Sequence, residues 1–121
     1  MDKTVPELEF IPVDMDDLIE EVGDDLVAVV FEAFLEDMEG KLELLQAEAT
    51  ARNIEGIRKH AHRIKGCLIS IRANKAAQKA KELEDSAQDG NLDEAIRLVP
   101  EFEREFLSAK SFVQNFILNN G

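Results

Sequence analysis

Apolar residues between positions 54 and 71 recur at alternating steps of three and four, the period of an α-helix with one buried face. Asn53 stands directly before this series and can cap the N-terminus of a helix. A long amphipathic helix is therefore predicted from this point onward, with its apolar face toward a core. The series consists of Ile54, Ile57, Ala61, Ile64, Leu68 and Ile71.

The chain before this helix shows the same period twice. Asp14 is predicted to cap a short helix that Gly23 ends. A long helix is then predicted over residues 24–51. Gly40 interrupts its pattern, which fits either an exposed, tolerated position or a slight bend, and no function is assigned to it.

Two more helices are predicted after the central one. The helix over residues 73–87 has an inner face built almost entirely of alanine, which would let a neighbouring helix approach closely. A turn at residues 89–91 leads into the last helix, residues 92–118, which Asn91 can cap. Pro100 lies inside that helix and should kink it rather than end it, because the apolar period resumes in phase beyond the proline.

These elements predict an all-α fold, because no segment shows strand-like alternation of useful length. We expect an antiparallel four-helix bundle with a short additional N-terminal helix, formed by residues 14–121. Residues 1–13 contain two prolines and no clear period, so they are predicted to form a flexible lead-in.

Length and composition exclude several classes of protein. The 121 residues fit one domain, and a single cysteine, Cys67, excludes an internal disulfide. No signal peptide is recognisable, and no apolar run approaches the roughly 20 residues needed to cross a membrane. We therefore expect a cytoplasmic protein without membrane contact, and a monomer, since the apolar seams are used within the bundle. The net charge of −12 argues against nucleic acid as a partner.

The basic residues are concentrated in one region. Residues 57–81 contain no acidic side chain and eight of the 14 lysines and arginines. This segment is either a solvated helical face or a surface that recognises an anion or an acidic protein, and its position around His62 favours recognition. The residues predicted to form a partner-binding basic face are Arg58, Lys59, Arg63 and Arg72.

His62, Lys65 and Gly66 occupy neighbouring positions on the predicted central helix. His62 falls about 120° from the middle of the apolar stripe, toward solvent. An imidazole that is partly unprotonated near neutral pH has a lone pair that can attack a phosphoryl group. Lys65 would lie one turn away, where its charge can stabilise an anion. Gly66 costs helix stability but clears the space beside the imidazole.

The sequence argues against a metal site and against a reactive cysteine. His60 and His62 would point about 200° apart on a helix, so they could not chelate one metal ion. His60 is expected to be partly buried on the opposite flank. Cys67 falls on that same flank and is expected to be a partly buried structural thiol rather than a reactive one.

The run Ala61-His62-Arg63-Ile64-Lys65-Gly66, followed downstream by Leu83-Glu84, resembles the histidine-containing phosphotransfer (HPt) domain of multistep phosphorelays. The resemblance covers about residues 26–116. It implies that His62 is the phosphoacceptor, that Lys65 steadies the phosphate and that Gly66 leaves room for a partner. After the glycine this family commonly has small residues where the chain has Cys67 and Leu68, and a glycine where it has Arg72.

The resemblance also implies partners and cofactors. The partners would be receiver domains of response regulators or of hybrid histidine kinases. The chain would be a phosphoryl carrier, not an enzyme with its own ATP site, and would hold no cofactor, with magnesium on the receiver. Two alternatives stay open: a non-catalytic helical adaptor that binds an acidic partner, and the phosphoacceptor domain of a larger histidine kinase.

Overall fold

The structure is a computed structural model that describes residues 11–120. Most of the predicted lead-in therefore lies outside the described residues, although Val13 at its end is buried in the core. Between residues 11 and 120 the regular elements are six α-helices and one 3₁₀ turn, Asp24–Leu26. The helices are α1 (Met15–Val22), α2 (Val27–Met38), α3 (Lys41–Thr50), α4 (Ile54–Ser70), α5 (Asn74–Gln88) and α6 (Leu92–Asn120).

The predicted all-α, antiparallel four-helix bundle with a short additional N-terminal helix is confirmed. Helices α4, α5 and α6 fill three positions of the bundle. The fourth is shared by α2 and α3, both of which pack against α4 and α6. Helix α1 packs against the start of α2. None of the helices in the described range is long and apolar enough to cross a membrane.

The prediction of one continuous helix over residues 24–51 is wrong. The helix stops at Met38 and restarts at Lys41, with Gly40 in the left-handed conformation at φ 76°. The buried residues on the two sides of the break, at positions 34, 38, 42 and 45, keep helical steps of three and four, so their spacing also fits one helix in which Gly40 is tolerated or causes a slight bend. A glycine adopts this conformation without the steric cost that a side chain would add.

The predicted apolar seam of α4 and the alanine face of α5 form one side of the core. All six seam residues are buried or partly buried, and the alanines at positions 73, 76, 77, 80 and 87 are buried. Large side chains fill the opposite side, where Phe31, Phe102 and Phe106 are almost completely buried. The small alanines therefore set the distance between α4 and α5, while phenylalanines fill the space between α2 and α6.

The predicted helix caps are confirmed by hydrogen bonds. The side chains of Asp14, Asn53 and Asn91 accept from the backbone N–H groups of Asp17, Gly56 and Glu94. These bonds satisfy donors that a helix start leaves unpaired. Helix α6 continues through Pro100 without a stop, as predicted.

Helices α3, α4 and α5 end in the same backbone motif. In each, the second residue after the helix has a positive φ, and the N–H of the residue that follows it bonds back to the carbonyl five residues earlier. The left-handed residue is Gly90 after α5, but it is Arg52 after α3 and Arg72 after α4. A side chain in this conformation costs free energy, so the two arginines call for a physical reason.

Arg72 has such a reason. Its guanidinium pairs with Asp17, at 2.6 Å, and with Glu21, and its carbonyl accepts from the N–H of Asp14 at 2.9 Å. These contacts attach α1 to the end of α4. Arg52 makes one ion pair, with Asp93, in which both side chains are largely exposed. Such a pair contributes little to stability.

Replacement of each arginine by glycine should separate these two cases. Arg52→Gly removes the left-handed strain and should raise the free energy of unfolding by about 1 kcal/mol, a melting-temperature rise of about 4 °C. Arg72→Gly relieves the same strain but loses the ion pairs of the guanidinium with Asp17 and Glu21 on α1, so its melting temperature should fall. Thermal unfolding followed by circular dichroism measures both. Equal stabilisation by the two variants would show that Arg72 does not hold α1 in place.

Candidate functional site

His62 lies on the solvent side of α4, as the sequence predicted. Its side chain is 65% exposed, and Nδ1 lies 2.7 Å from Oε2 of Glu84 on α5. The neighbouring His60 faces elsewhere: it is 24% exposed and Nε2 lies 3.7 Å from Oε2 of Glu48 on α3. The two imidazoles thus have different surroundings, which agrees with the prediction that they do not converge on one ion.

Glu84 carries part of the family resemblance but was not among the predicted site residues. It is the one buried charged residue between positions 11 and 120. Its other oxygen, Oε1, lies 2.7 Å from Nζ of Lys65. The orientation of this contact is that of an ion pair rather than a well-aligned hydrogen bond, and Oε1 has no further partner in the described part of the chain. A single carboxylate therefore bridges His62 and Lys65.

A signal for Glu84 exists in the sequence. Positions 77, 80, 84 and 87 follow steps of three and four, and the other three are buried alanines. A glutamate in phase with a core seam requires a compensating charge on the facing helix, because an unpaired buried charge is costly. Lys65 and His62 supply that compensation from α4.

The carboxyl group of Glu84 is held in its ionised form. Burial alone would raise the pKa of Glu84, but the close approach of Lys65 and the contact with His62 outweigh burial and lower that pKa. An ionised carboxylate accepts hydrogen bonds only, so the proton of a neutral His62 lies on Nδ1. The lone pair of Nε2 is then free on the exposed side of the ring.

Gly66 lies in open space one turn beyond His62. A Cβ atom built at this position would meet no atom within 4 Å other than its own helix backbone. Neither a turn nor a tight helix contact explains this glycine, because it sits inside α4 and on its exposed side. The room beside the imidazole is therefore present, as the sequence predicted.

Three of the four residues predicted to form the basic face lie together in the structure, and the fourth lies elsewhere. Arg58, Lys59 and Arg63 line one open groove with His62. Arg58 is paired with Glu55 at 2.5 Å. Arg72 lies roughly 15 Å further along the helix axis, lines a different groove and is engaged by α1. Lys41 of α3 joins the groove of His62, a contribution that the sequence analysis missed because it comes from another helix.

Cys67 packs against the edge of the core and is partly buried, as predicted. Burial, with a smaller contribution from Asp37, raises the pKa of its thiol. The thiolate, which is the nucleophilic form, is therefore less populated near neutral pH than in an ordinary cysteine. This agrees with a structural role.

Comparison with known proteins places these features in a family. A family model described as Hpt domain matches residues 29–111. The chain is also similar to a solved structure, histidine-containing phosphotransfer protein B (HptB) from Pseudomonas aeruginosa PAO1. The two share 30% sequence identity with a TM-score of 0.79, over 91% of this chain and 97% of that one. No curated protein sequence matched the chain.

The lowered pKa of Glu84 predicts a pH-dependent contribution to stability. A group whose pKa is lower in the folded than in the unfolded state stabilises the fold above its unfolded pKa, and this stabilisation is lost as pH falls. Glu84→Gln should therefore cost about 1–2 kcal/mol at pH 7, and the difference from the wild type should shrink between roughly pH 5 and pH 3. Melting temperatures across this range measure it. Glu20→Gln, on exposed α1, corrects for the loss of one negative charge, and a deficit independent of pH would contradict the ionised state.

The raised pKa of Cys67 predicts slow thiol chemistry. At pH 7 iodoacetamide should alkylate the folded protein at least about tenfold more slowly than the protein unfolded in urea, since burial limits both access and thiolate. Mass spectrometry of timed samples gives the two rates. Equal rates in the folded and unfolded protein would identify Cys67 as an accessible, reactive thiol.

Proposed function

Because the chain belongs to the Hpt domain family, we propose that it is a phosphoryl carrier of a phosphorelay. It accepts a phosphoryl group on His62 from an aspartyl phosphate of one receiver domain and passes it to an aspartate of another. The observation that carries this proposal is the contact of Nδ1 with Glu84, which leaves Nε2 of an exposed imidazole free. The same observation favours a carrier over a helical adaptor without chemistry.

The proposed reaction uses the two ring nitrogens differently. The Nε2 lone pair attacks phosphorus, the bond between phosphorus and the aspartyl oxygen breaks, and the aspartate of the receiver leaves as a carboxylate. The ring retains its proton on Nδ1 and gains positive charge as the new bond forms. Oε2 of Glu84, 2.7 Å from Nδ1, stabilises that charge and fixes the orientation of the ring.

Lys65 and Gly66 have supporting roles in this proposal. Lys65 lies one turn from His62 and its side chain is 22% exposed, so its ammonium can turn from Glu84 toward the phosphoryl oxygens. Gly66 leaves the approach to Nε2 open to the surface of a receiver. The chain is a carrier rather than a kinase, and the magnesium ion that assists the reaction belongs to the receiver.

Phosphorylation of His62 is tested by mixing the full chain with phosphorylated receiver domains of its own organism, with magnesium, at pH 8. Intact-protein mass spectrometry should show the gain of one phosphoryl group that is lost in acid. His62→Gln should abolish the gain, whereas His60→Gln is the matched control and should keep it. Transfer that persists in His62→Gln, or no transfer from any receiver, would overturn the proposal.

Substitution of Gly66 should raise the free energy of unfolding but, with a large side chain, slow phosphotransfer. Gly66→Ala removes the helix cost of glycine without a clash and should raise the free energy of unfolding by about 1 kcal/mol. Gly66→Leu should slow phosphotransfer by at least about tenfold, because its side chain fills the approach to Nε2. Ser108→Leu, on the exposed face of α6, controls for a new apolar group. Rapid transfer by Gly66→Leu would show that the open space has no role in partner access.

A further inference from the structure

Helix α1 is joined to the core through few buried residues. Leu18 is its one buried residue, whereas α4 buries five residues and α5 buries six. Met15, Ile19 and Val22 are only partly buried against the core. A helix of eight residues is also too short to be stable in isolation. The stability of α1 therefore depends on its contacts with other elements.

The charges of α1 and its flanks oppose the formation of this helix. Residues 14–25 contain seven carboxylates and no basic side chain. Asp16 lies four residues before Glu20, and like charges at this spacing destabilise a helix. Asp17 and Glu21 repeat the same spacing. Both glutamates also lie in the last turn of α1, where negative charge is unfavourable. Positive charge from another element is therefore needed to offset this repulsion.

Arg72, at the end of α4, supplies that charge. Its guanidinium pairs with Asp17 and with Glu21, which lie one turn apart on α1. Its carbonyl accepts a hydrogen bond from the N–H of Asp14, the residue that caps α1. A single residue of α4 thus contacts α1 at its start through the backbone and along its side through the guanidinium.

Gly23 separates α1 from the 3₁₀ turn that precedes α2. Its φ of 88° and ψ of 149° lie in a region of backbone conformation that residues with a side chain rarely adopt. A glycine at this point has wide backbone freedom, so the chain can change direction here while the 3₁₀ turn and α2 keep their conformation. The position is therefore suited to act as a hinge for α1.

We propose that α1 opens as a separate unit about Gly23 while α2 to α6 stay folded, and that the ion pairs of Arg72 set the equilibrium between the closed and the open state. In the closed state α1 occupies the guanidinium and covers Leu18. In the open state the guanidinium is accessible to another anion, at the end of the helix that carries His62. Elements with few buried residues are those that open locally before the whole fold does. This inference is independent of the proposed function, because it involves no phosphoryl transfer.

Hydrogen exchange of the folded full chain, followed by mass spectrometry, measures the opening of α1 separately from that of α4 and α5. Asp17→Asn combined with Glu21→Gln should speed exchange in α1 about threefold or more, because both ion pairs are lost. The matched control is Asp16→Asn combined with Glu20→Gln, which removes two carboxylates of the same helix that make no ion pair within residues 11–120. It should slow exchange in α1, because it removes repulsion alone. Exchange in α4 and α5 should change less than about twofold in both variants.

Substitution of Arg72 tests the same contact from the side of α4. Arg72→Gly should also speed exchange in α1, although glycine relieves the strain of the left-handed conformation. Arg52→Gly, at the equivalent position after α3, is the control and should leave exchange in α1 unchanged.

Three results would overturn the proposal. Exchange in α1 as slow as in α4 and α5 would show that α1 opens only when the whole fold does. Equal effects of the two pairs of carboxylate substitutions would show that Arg72 does not set the equilibrium. Exchange in α1 without any protection in the wild-type chain would show that no closed state is populated.

Discussion

A charge buried between two helices is tolerated only when opposite charge meets it, and this requirement fixes the arrangement of Glu84, His62 and Lys65. The carboxylate reaches both partners because α5 presents a face of alanines to α4 and the two helices lie close together. A larger residue at position 77 or 80 would increase their separation and remove Glu84 from His62. The geometry of the exposed imidazole therefore depends on packing that lies beneath it.

This arrangement divides the surface of α4 into two parts with different uses. Toward α5, Lys65 is paired with Glu84, the carboxylate that also contacts the imidazole of His62. Toward α3, Lys59 and Arg63 border an open groove, and within residues 11–120 neither has a carboxylate within ion-pair distance. The asymmetry arises because α5 places Glu84 against α4, while the first turn of α3 contributes Lys41. One helix thus combines a rigid support for His62 with a surface available to another protein.

The sequence predicts those parts of the structure that depend on local pattern. Helix caps and turns depend on a few consecutive residues, and the buried faces of α4 and α5 follow the helical period. Both could therefore be predicted without knowing which helices pack together. The buried residues on the two sides of Gly40 keep helical steps, so their spacing does not require a break there, and the roles of Glu84 and Lys41 exist only once α5 and α3 lie against α4. Arg72 is the converse case: a basic residue close to the motif in sequence is occupied by Asp17 and Glu21, which are more than 50 positions away. Residue type and spacing describe a helix face, whereas the partners of a charged side chain are decided by the fold.

The position of Glu84 also bears on how a carrier passes its phosphoryl group on. Before transfer, the charges of Lys65 and Glu84 balance. In the proposed reaction, a phosphoryl group on Nε2 adds about two negative charges, and the ring it is attached to becomes positive. Glu84 stabilises that ring through Nδ1, yet it competes with the phosphoryl oxygens for the ammonium of Lys65. A site with the lysine alone would bind the phosphoryl group more tightly and would release it more slowly to the next receiver. In the proposed function, the buried carboxylate would therefore support both the formation of phosphohistidine and its loss, as a reversible carrier requires.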